Sequence, residues 1–422
     1  EGLQGLAKRY LGEEFTRSGG FANLDVFMFT EEDTQRLVDD ILVPAAEHYL
    51  ERSDAKDLLG MFGVDGPYGR HYSFLKAIAA LWNVLIDPER KATFKIDLDQ
   101  VFPQRELVEQ SGSSALEHFT TPLWGAHGVG TDGRPLELGM IVGAMVNERD
   151  IGESLFTPDV RFPDYTPAMD ECFFFSRLPQ ALSTEAELMT RYDTDSLDGE
   201  TGCIQRIHAM GGINGILVDS LRRHRPFTPS FIGRAEDQAY IFSALFGTGD
   251  RLAYVHEPGL IMRHDKEAFA QEAMAAAHIG KLIGDYERIL YFSAYAGVLA
   301  DDVRTVKDVV DPFTGCFISM IPLTVTFLRF ALKSESLFED GETDQGLQFV
   351  TLGARRIIDA WSFVHGENSE LRKTCEEERR GWDVYYDTLW AVETAIKDGD
   401  PLAKSLQQRA RDAIAKCRIS GG

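Results

Sequence analysis

Apolar and polar positions change their spacing three times along the chain, and each spacing predicts a different kind of element. Near the N-terminus, residues 1 to 20 suggest a short helix ending in Ser18-Gly19-Gly20, followed by a strand over Leu24 to Phe29. Thr30, with Asp33 three positions on, predicts the cap of a helix that carries Leu37, Ile41 and Leu42 toward Tyr49. Phe74, Leu75, Ile78, Leu81, Trp82 and Leu85 recur at helical spacing, so a helix is expected over His71 to Leu85. The β-branched and aromatic run Thr93-Phe94-Lys95-Ile96 then predicts a buried strand.

Beyond this strand the text is mixed. Residues 104 to 135 are rich in loop formers and suggest a hairpin or a substrate-facing loop, and strand-like runs return at Leu138 to Val146. Between Glu148 and Gly202 lie Pro-rich turns, Phe173-Phe174-Phe175 and a helix predicted over Ser183 to Arg191, read together as an inserted, site-covering part. Leu252 to Val255 and Leu260 to Asp265 predict a strand pair. From Glu267 the spacing is helical almost throughout, with amphipathic runs at 267–299, 346–366 and 368–397. The expected architecture is α/β over residues 1–266, a mixed sheet flanked by helices, with an all-α C-terminal domain over residues 267–422. No fixed repeat period is evident.

Composition narrows the partners. Lys and Arg total 43 against 67 Asp and Glu, a formal charge of −24, which opposes attraction to a nucleic-acid backbone. A cation-bridged nucleotide stays compatible with that charge, because the metal supplies the positive field locally. Five scattered cysteines without Cys-x-x-Cys spacing indicate neither a disulfide framework nor a zinc site, and point to a reducing, cytoplasmic setting. The most apolar window, Phe313 to Leu332, contains Pro322 and Arg329 and is expected to be a buried helix rather than a membrane span.

Candidate chemistry begins at Asp97 and Asp99, two residues apart where the strand ends. Side chains at i and i+2 of a strand share a face, so both carboxylates can address one hard cation. The turn Met210-Gly211-Gly212-Ile213 lets backbone approach a ligand closely. Glu236 and Asp237 fall in the first turn of a predicted helix, where the helix dipole favours ionised acids. His264 ends the last strand and offers an imidazole ligand, with His256 as its rival.

This order of motifs, spanning roughly residues 63 to 266, resembles the GT-A class of nucleotide-sugar glycosyltransferases. The resemblance implies that Asp97, Asp99 and His264 hold Mn²⁺ or Mg²⁺ on the donor diphosphate. It implies that Arg70, Lys76, Asp97, Gly211 and Gly212 line the donor, and that Asp237, with Glu236 as second choice, is the general base on the acceptor hydroxyl. Implied partners are a nucleoside-diphosphate sugar and a small-molecule or carbohydrate acceptor, with self-association through the helical domain compatible. The chain departs from the class in showing only one clear strand, Leu24 to Phe29, before residue 71, where two strand-helix units are expected. A haloacid-dehalogenase-like phosphatase also fits the residues around Asp97, which would then be the nucleophile and Asp99 the acid/base, with Lys281 and Asp301-Asp302 as the downstream partners. A non-catalytic sugar- or nucleotide-binding protein is the third reading.

Overall fold

The computed structural model describes residues 3–19, 23–97, 100–129, 134–148, 213–233, 235–246, 250–264, 271–304, 306 and 317–420. In chain order the elements are α1 (Leu3–Ser18), β1 (Val26–Phe27), α2 (Glu31–Leu37), α3 (Val43–Tyr49), α4 (Ala55–Leu58), α5 (Tyr68–Leu85), β2 (Ala92–Ile96), β3 (Gln100–Val101), α6 (Gln104–Ser111) and α7 (Ala115–His118). There follow β4 (His127–Val129), β5 (Pro135–Asn147), β6 (Ile213–Leu217), α8 (Val218–His224), α9 (Glu236–Leu245) and β7 (Arg251–His264). The C-terminal region is helical: α10 (Gln271–Leu299), α11 (Pro322–Glu339), α12 (Thr343–Val364), α13 (Glu370–Lys397) and α14 (Pro401–Ala415), closed by β8 (Arg418–Ser420).

The fold is mixed α/β, and it divides into two compact units that do not follow a boundary at residue 266. Unit 1 gathers Glu1–Thr93, Leu217–Gly233 and Cys375–Gly422, and unit 2 gathers Phe94–Ile216 and Arg234–Thr374. The first ninety residues therefore join the C-terminus rather than the sheet, because their amphipathic helices find their apolar partners there.

Unit 1 is mostly helical. Thr30 caps α2 in a capping box with Asp33, as the sequence predicts. The predicted strand over Leu24 to Phe29 shrinks to Val26–Phe27, since its partner is the three-residue β8. The core is aromatic: Phe62 stacks on Tyr385 at 5.0 Å and meets Phe74 edge-on at 5.0 Å, and the Tyr385 hydroxyl donates to the Ala77 carbonyl at 2.7 Å. Gly69 allows α5 to approach Pro229, whose carbonyl oxygen lies 2.1 Å from where a Cβ would stand. Arg225 reaches Asp383 and Asp387, and its backbone at φ 51 closes α8.

Unit 2 is built on a mixed sheet with strand order β2-β6-β5-β7-β3 and β4 paired to β5. β5 runs parallel to β7 and antiparallel to β6 and β4. Its consecutive residues Met140, Ile141 and Val142 are all buried, as are Leu252 to Val255 on β7, so both strands are covered on both faces. The predicted strand pair at 252–265 is one long strand, because β7 stays paired with β5 across two register shifts, one between Glu137 and Met140 and a larger bulge between Val142 and Ala144. Between the paired positions Val142–His256 and Ala144–Ile261, one residue of β5, Gly143, faces four of β7, Glu257 to Leu260. Within that bulge the Leu260 carbonyl crosses Gly143, 1.9 Å from the position a Cβ would take. β2 and β3 end up at opposite edges of the strand order, yet only residues 97–99 separate them. Four residues reach about 14 Å, less than the about 19 Å of four flat strand spacings. The sheet must therefore curl to bring its two edges toward each other.

Helices α10, α11 and α12 pack around Ile283, Tyr286, Leu337 and Phe349. Arg356 pairs with the buried Glu287 there. The window around residues 313–332 departs from expectation: Pro322 starts α11 rather than interrupting it, and Phe327 and Leu328 are exposed, so this helix is half-covered and not buried. Among the described residues no helix is long and apolar enough to cross a membrane. The expected loop region at 104–135 contains two short helices, α6 and α7, besides the hairpin of β4 and β5.

Replacing Gly143 by Ala is expected to destabilise unit 2 by about 3 kcal/mol, the upper part of the range for overpacking, because the atom it meets is backbone. Gly284→Ala meets nothing nearer than Arg356 Nη2 at 3.9 Å and is expected to be neutral or to stabilise α10 by up to about 1 kcal/mol. Urea unfolding of both variants checks the contrast; equal effects would contradict the crossing of Leu260 over Gly143.

Candidate functional site

β2 delivers Lys95 and Asp97 to one face, as period-two geometry requires. Lys95 is buried, with 6% of its side chain exposed, whereas Asp97 keeps 40% of its own open, and the ammonium sits 2.5 Å from Asp97 Oδ1. The chain then turns back: the Gln100 N–H donates to the Asp97 carbonyl at 3.1 Å, and Gln100 Nε2 lies 3.4 Å from Asp97 Oδ2. Gln100 stands opposite His264 in the β3–β7 ladder, and Val101 stands opposite Arg263. The backbone of His264 is thus three residues and one strand step from Asp97.

α9 supplies the other acids. Its N-terminus is entered through Ala235 in the left-handed region, φ 57, an uncommon conformation for a residue with a Cβ. Glu236 and Asp237 follow in the first turn, as the sequence predicts. Asp237 is buried, and Gln238 Nε2 donates to its Oδ2 at 2.9 Å. Burial pushes the Asp237 carboxyl up to about 7, the neighbouring charge of Glu236 adds to the rise, and Gln238 and Lys95 oppose it. Lys95 pairs with Asp97, and its charge also works against the rise at Asp237. A carboxyl that titrates near neutrality can exchange a proton with a hydroxyl substrate.

Other predicted site residues lie elsewhere. Asp99, Gly211, Gly212 and the side chains of His264 and His256 are outside the described residues; β6 begins at Ile213, directly after the glycine pair. Arg70 and Lys76 belong to unit 1, and each is held inside it. Arg70 spends its guanidinium on Glu31 at 2.7 Å and on the carbonyls of Gly60 and Asp65. Lys76 is buried in α5 with Nζ 4.0 Å from the Tyr72 ring centroid. Lys281 is exposed on α10, and Asp301 and Asp302 are exposed beyond its end, so the phosphatase set is not at strand ends.

Among the described residues no group of three or more His, Cys, Asp or Glu side chains is placed to hold a metal ion. Asp97 is a hard oxygen donor with an open face, which suits Mg²⁺ or Mn²⁺, but Lys95 has to yield part of its grip for a cation to share that carboxylate. Lys95 was not anticipated as a site residue, although its spacing of two from Asp97 is the signal that could have found it. No family model, curated protein or solved structure matches the chain.

Because the folded-state value of Asp237 lies above its ordinary 3.8, its contribution to stability is full in acid and is lost as pH rises through about 7. Asp237→Asn never ionises, so relative to wild type it should gain at least about 1 kcal/mol between pH 5 and pH 8. Urea unfolding at the two pH values measures this, and a pH-independent difference would contradict the burial of an ionisable Asp237.

Proposed function

We propose that unit 2 carries the catalytic centre of a metal-dependent GT-A-type glycosyltransferase, moving a sugar from a nucleoside-diphosphate sugar to a hydroxyl acceptor. The observation that supports it best is Lys95, which pairs with the open carboxylate of Asp97 and whose charge also acts on the buried, near-neutral carboxyl of Asp237. These two acids are the ones the resemblance assigns to the donor end and the acceptor end. The mixed sheet with flanking helices is compatible with the class.

Asp237 accepts the acceptor's hydroxyl proton as the oxygen attacks the anomeric carbon, and Glu236 beside it keeps that carboxyl basic enough to do so. Gln238 orients Asp237 through its 2.9 Å hydrogen bond. Lys95 holds Asp97 toward the donor diphosphate. Asp97, with Asp99 and His264 as the resemblance implies, would hold a Mg²⁺ or Mn²⁺, which would supply positive charge against the departing nucleoside diphosphate. Direct proton abstraction by Asp237 corresponds to inversion at the anomeric carbon; a merely positioning Asp237 corresponds to retention.

A nucleoside diphosphate with Mn²⁺ at about 100 times Kd should raise Tm by about 5 °C. Asp97→Ala and Asp99→Ala should each abolish the rise. Asp237→Asn should keep the rise and lower kcat by about a thousandfold. No thermal response to any nucleotide of a full panel, with or without metal, would sink the reading.

A further inference from the structure

α6 and α7 carry a second constellation that the glycosyl-transfer reading does not use. Ser111 ends α6, Gly112 follows in the left-handed conformation at φ 82, and Ser114 opens α7 with a capping box to Glu117. This places His118, the last residue of α7, with Nε2 3.2 Å from Ser111 Oγ and Nδ1 3.1 Å from Glu257 Oε1. Glu257 lies in the β7 bulge, and Gly259 in the same bulge makes room for the ring: a Cβ there would stand 2.0 Å from His118 Cε1. His118 and Glu257 keep 13% and 15% of their side chains exposed, and Ser111 is half-buried, so the three are shielded without being sealed.

We propose that Ser111, His118 and Glu257 form a serine-nucleophile centre in unit 2 that cleaves small, activated carboxylic esters, independently of the glycosyl-transfer site. Roles follow from geometry rather than sequence order. The Glu257 carboxylate accepts the Nδ1–H, which fixes the tautomer whose Nε2 lone pair faces Ser111. The Ser111 hydroxyl has two other acceptors, the carbonyl oxygens of Leu107 at 2.6 Å and Ser113 at 3.1 Å, and reaches Nε2 by rotating about Cβ–Oγ. The Ser113 N–H, 3.4 Å from Oγ, is a backbone donor beside the reacting atom. A donor directed at the nucleophile gives little support to a tetrahedral oxyanion, which favours esters with good leaving groups over amides.

In the step proposed, Oγ bonds to the ester carbonyl carbon as its proton passes to Nε2. The bond to the alkoxy oxygen then breaks, and the alcohol leaves with that proton. Water attacks the acyl-serine, gives its proton to Nε2, and the acid departs as Ser111 regains a proton; ester and water become acid and alcohol. The alternative is a structural clamp, in which a back-bonded helical serine and a histidine merely tie α6 and α7 to the bulge.

The test is labelling of the full chain with a fluorophosphonate, in which Oγ displaces fluoride from phosphorus, followed by peptide mass mapping. A single adduct on Ser111 is expected, absent in Ser111→Ala, slowed about 100-fold in His118→Gln and about 10-fold in Glu257→Gln. p-Nitrophenyl acetate hydrolysis should fall in parallel. An unmodified Ser111 in the wild-type protein, or equal labelling rates in wild type and a His118→Gln variant whose melting curve shows it folded, would overturn the proposal. Because the wild-type result is read without any variant, a variant that fails to fold leaves the test intact.

Discussion

The parallel pairing of β5 with β7 is the contact on which unit 2 depends. Both strands are buried on both faces, so their register is fixed by packing on each side rather than by one amphipathic face. That register sets the bulge at Glu257 to Leu260, and the bulge is possible because Gly143 leaves room for the Leu260 carbonyl. β7 then offers its far end to β3, which seats Gln100 opposite His264 and anchors the turn that leaves Asp97. A slip in the β5–β7 ladder would displace the Asp97 turn and the Ser111–His118–Glu257 set together.

Charge supplies the second constraint. The chain carries a formal charge of −24. Burial pushes two described carboxyls up to about 7, Glu378 in unit 1 and Asp237, where the charge of the adjacent Glu236 adds to the rise. At Asp237 the charge of Lys95, which pairs with Asp97, opposes that rise. Folding a buried acid of this kind costs stability near neutrality, a cost that functional sites commonly carry and ordinary cores avoid.

Much of this was legible in the chain. Local signals held where the chemistry is local: the Thr30–Asp33 cap, the Glu236-Asp237 helix start, the apolar run of β5 and the long C-terminal helices all match their predicted places. Non-local pairings were not legible. Nothing in Leu252 to Asp265 says that two short strands are one strand with a bulge, because the bulge is defined by its partner β5. Nor does the N-terminal text reveal that its helices close on residues 375–422, since apolar periodicity names a buried face without naming what covers it. Arg70 and Lys76, named as donor residues through the resemblance alone, contact Glu31 and Tyr72 of unit 1. The Ser111–His118–Glu257 grouping was invisible for the related reason that its members meet only through the β7 bulge.

The central claim is that the turn after β2 and the head of α9 serve one cation-diphosphate site. Carboxylate ¹³C resonances of the full chain, followed as Mn²⁺ is added with a nucleoside diphosphate, test it directly through paramagnetic broadening. The account predicts early, selective broadening of the Asp97 signal, then of Glu236 and Asp237. Uniform broadening across all acids, or none at Asp97, would contradict it.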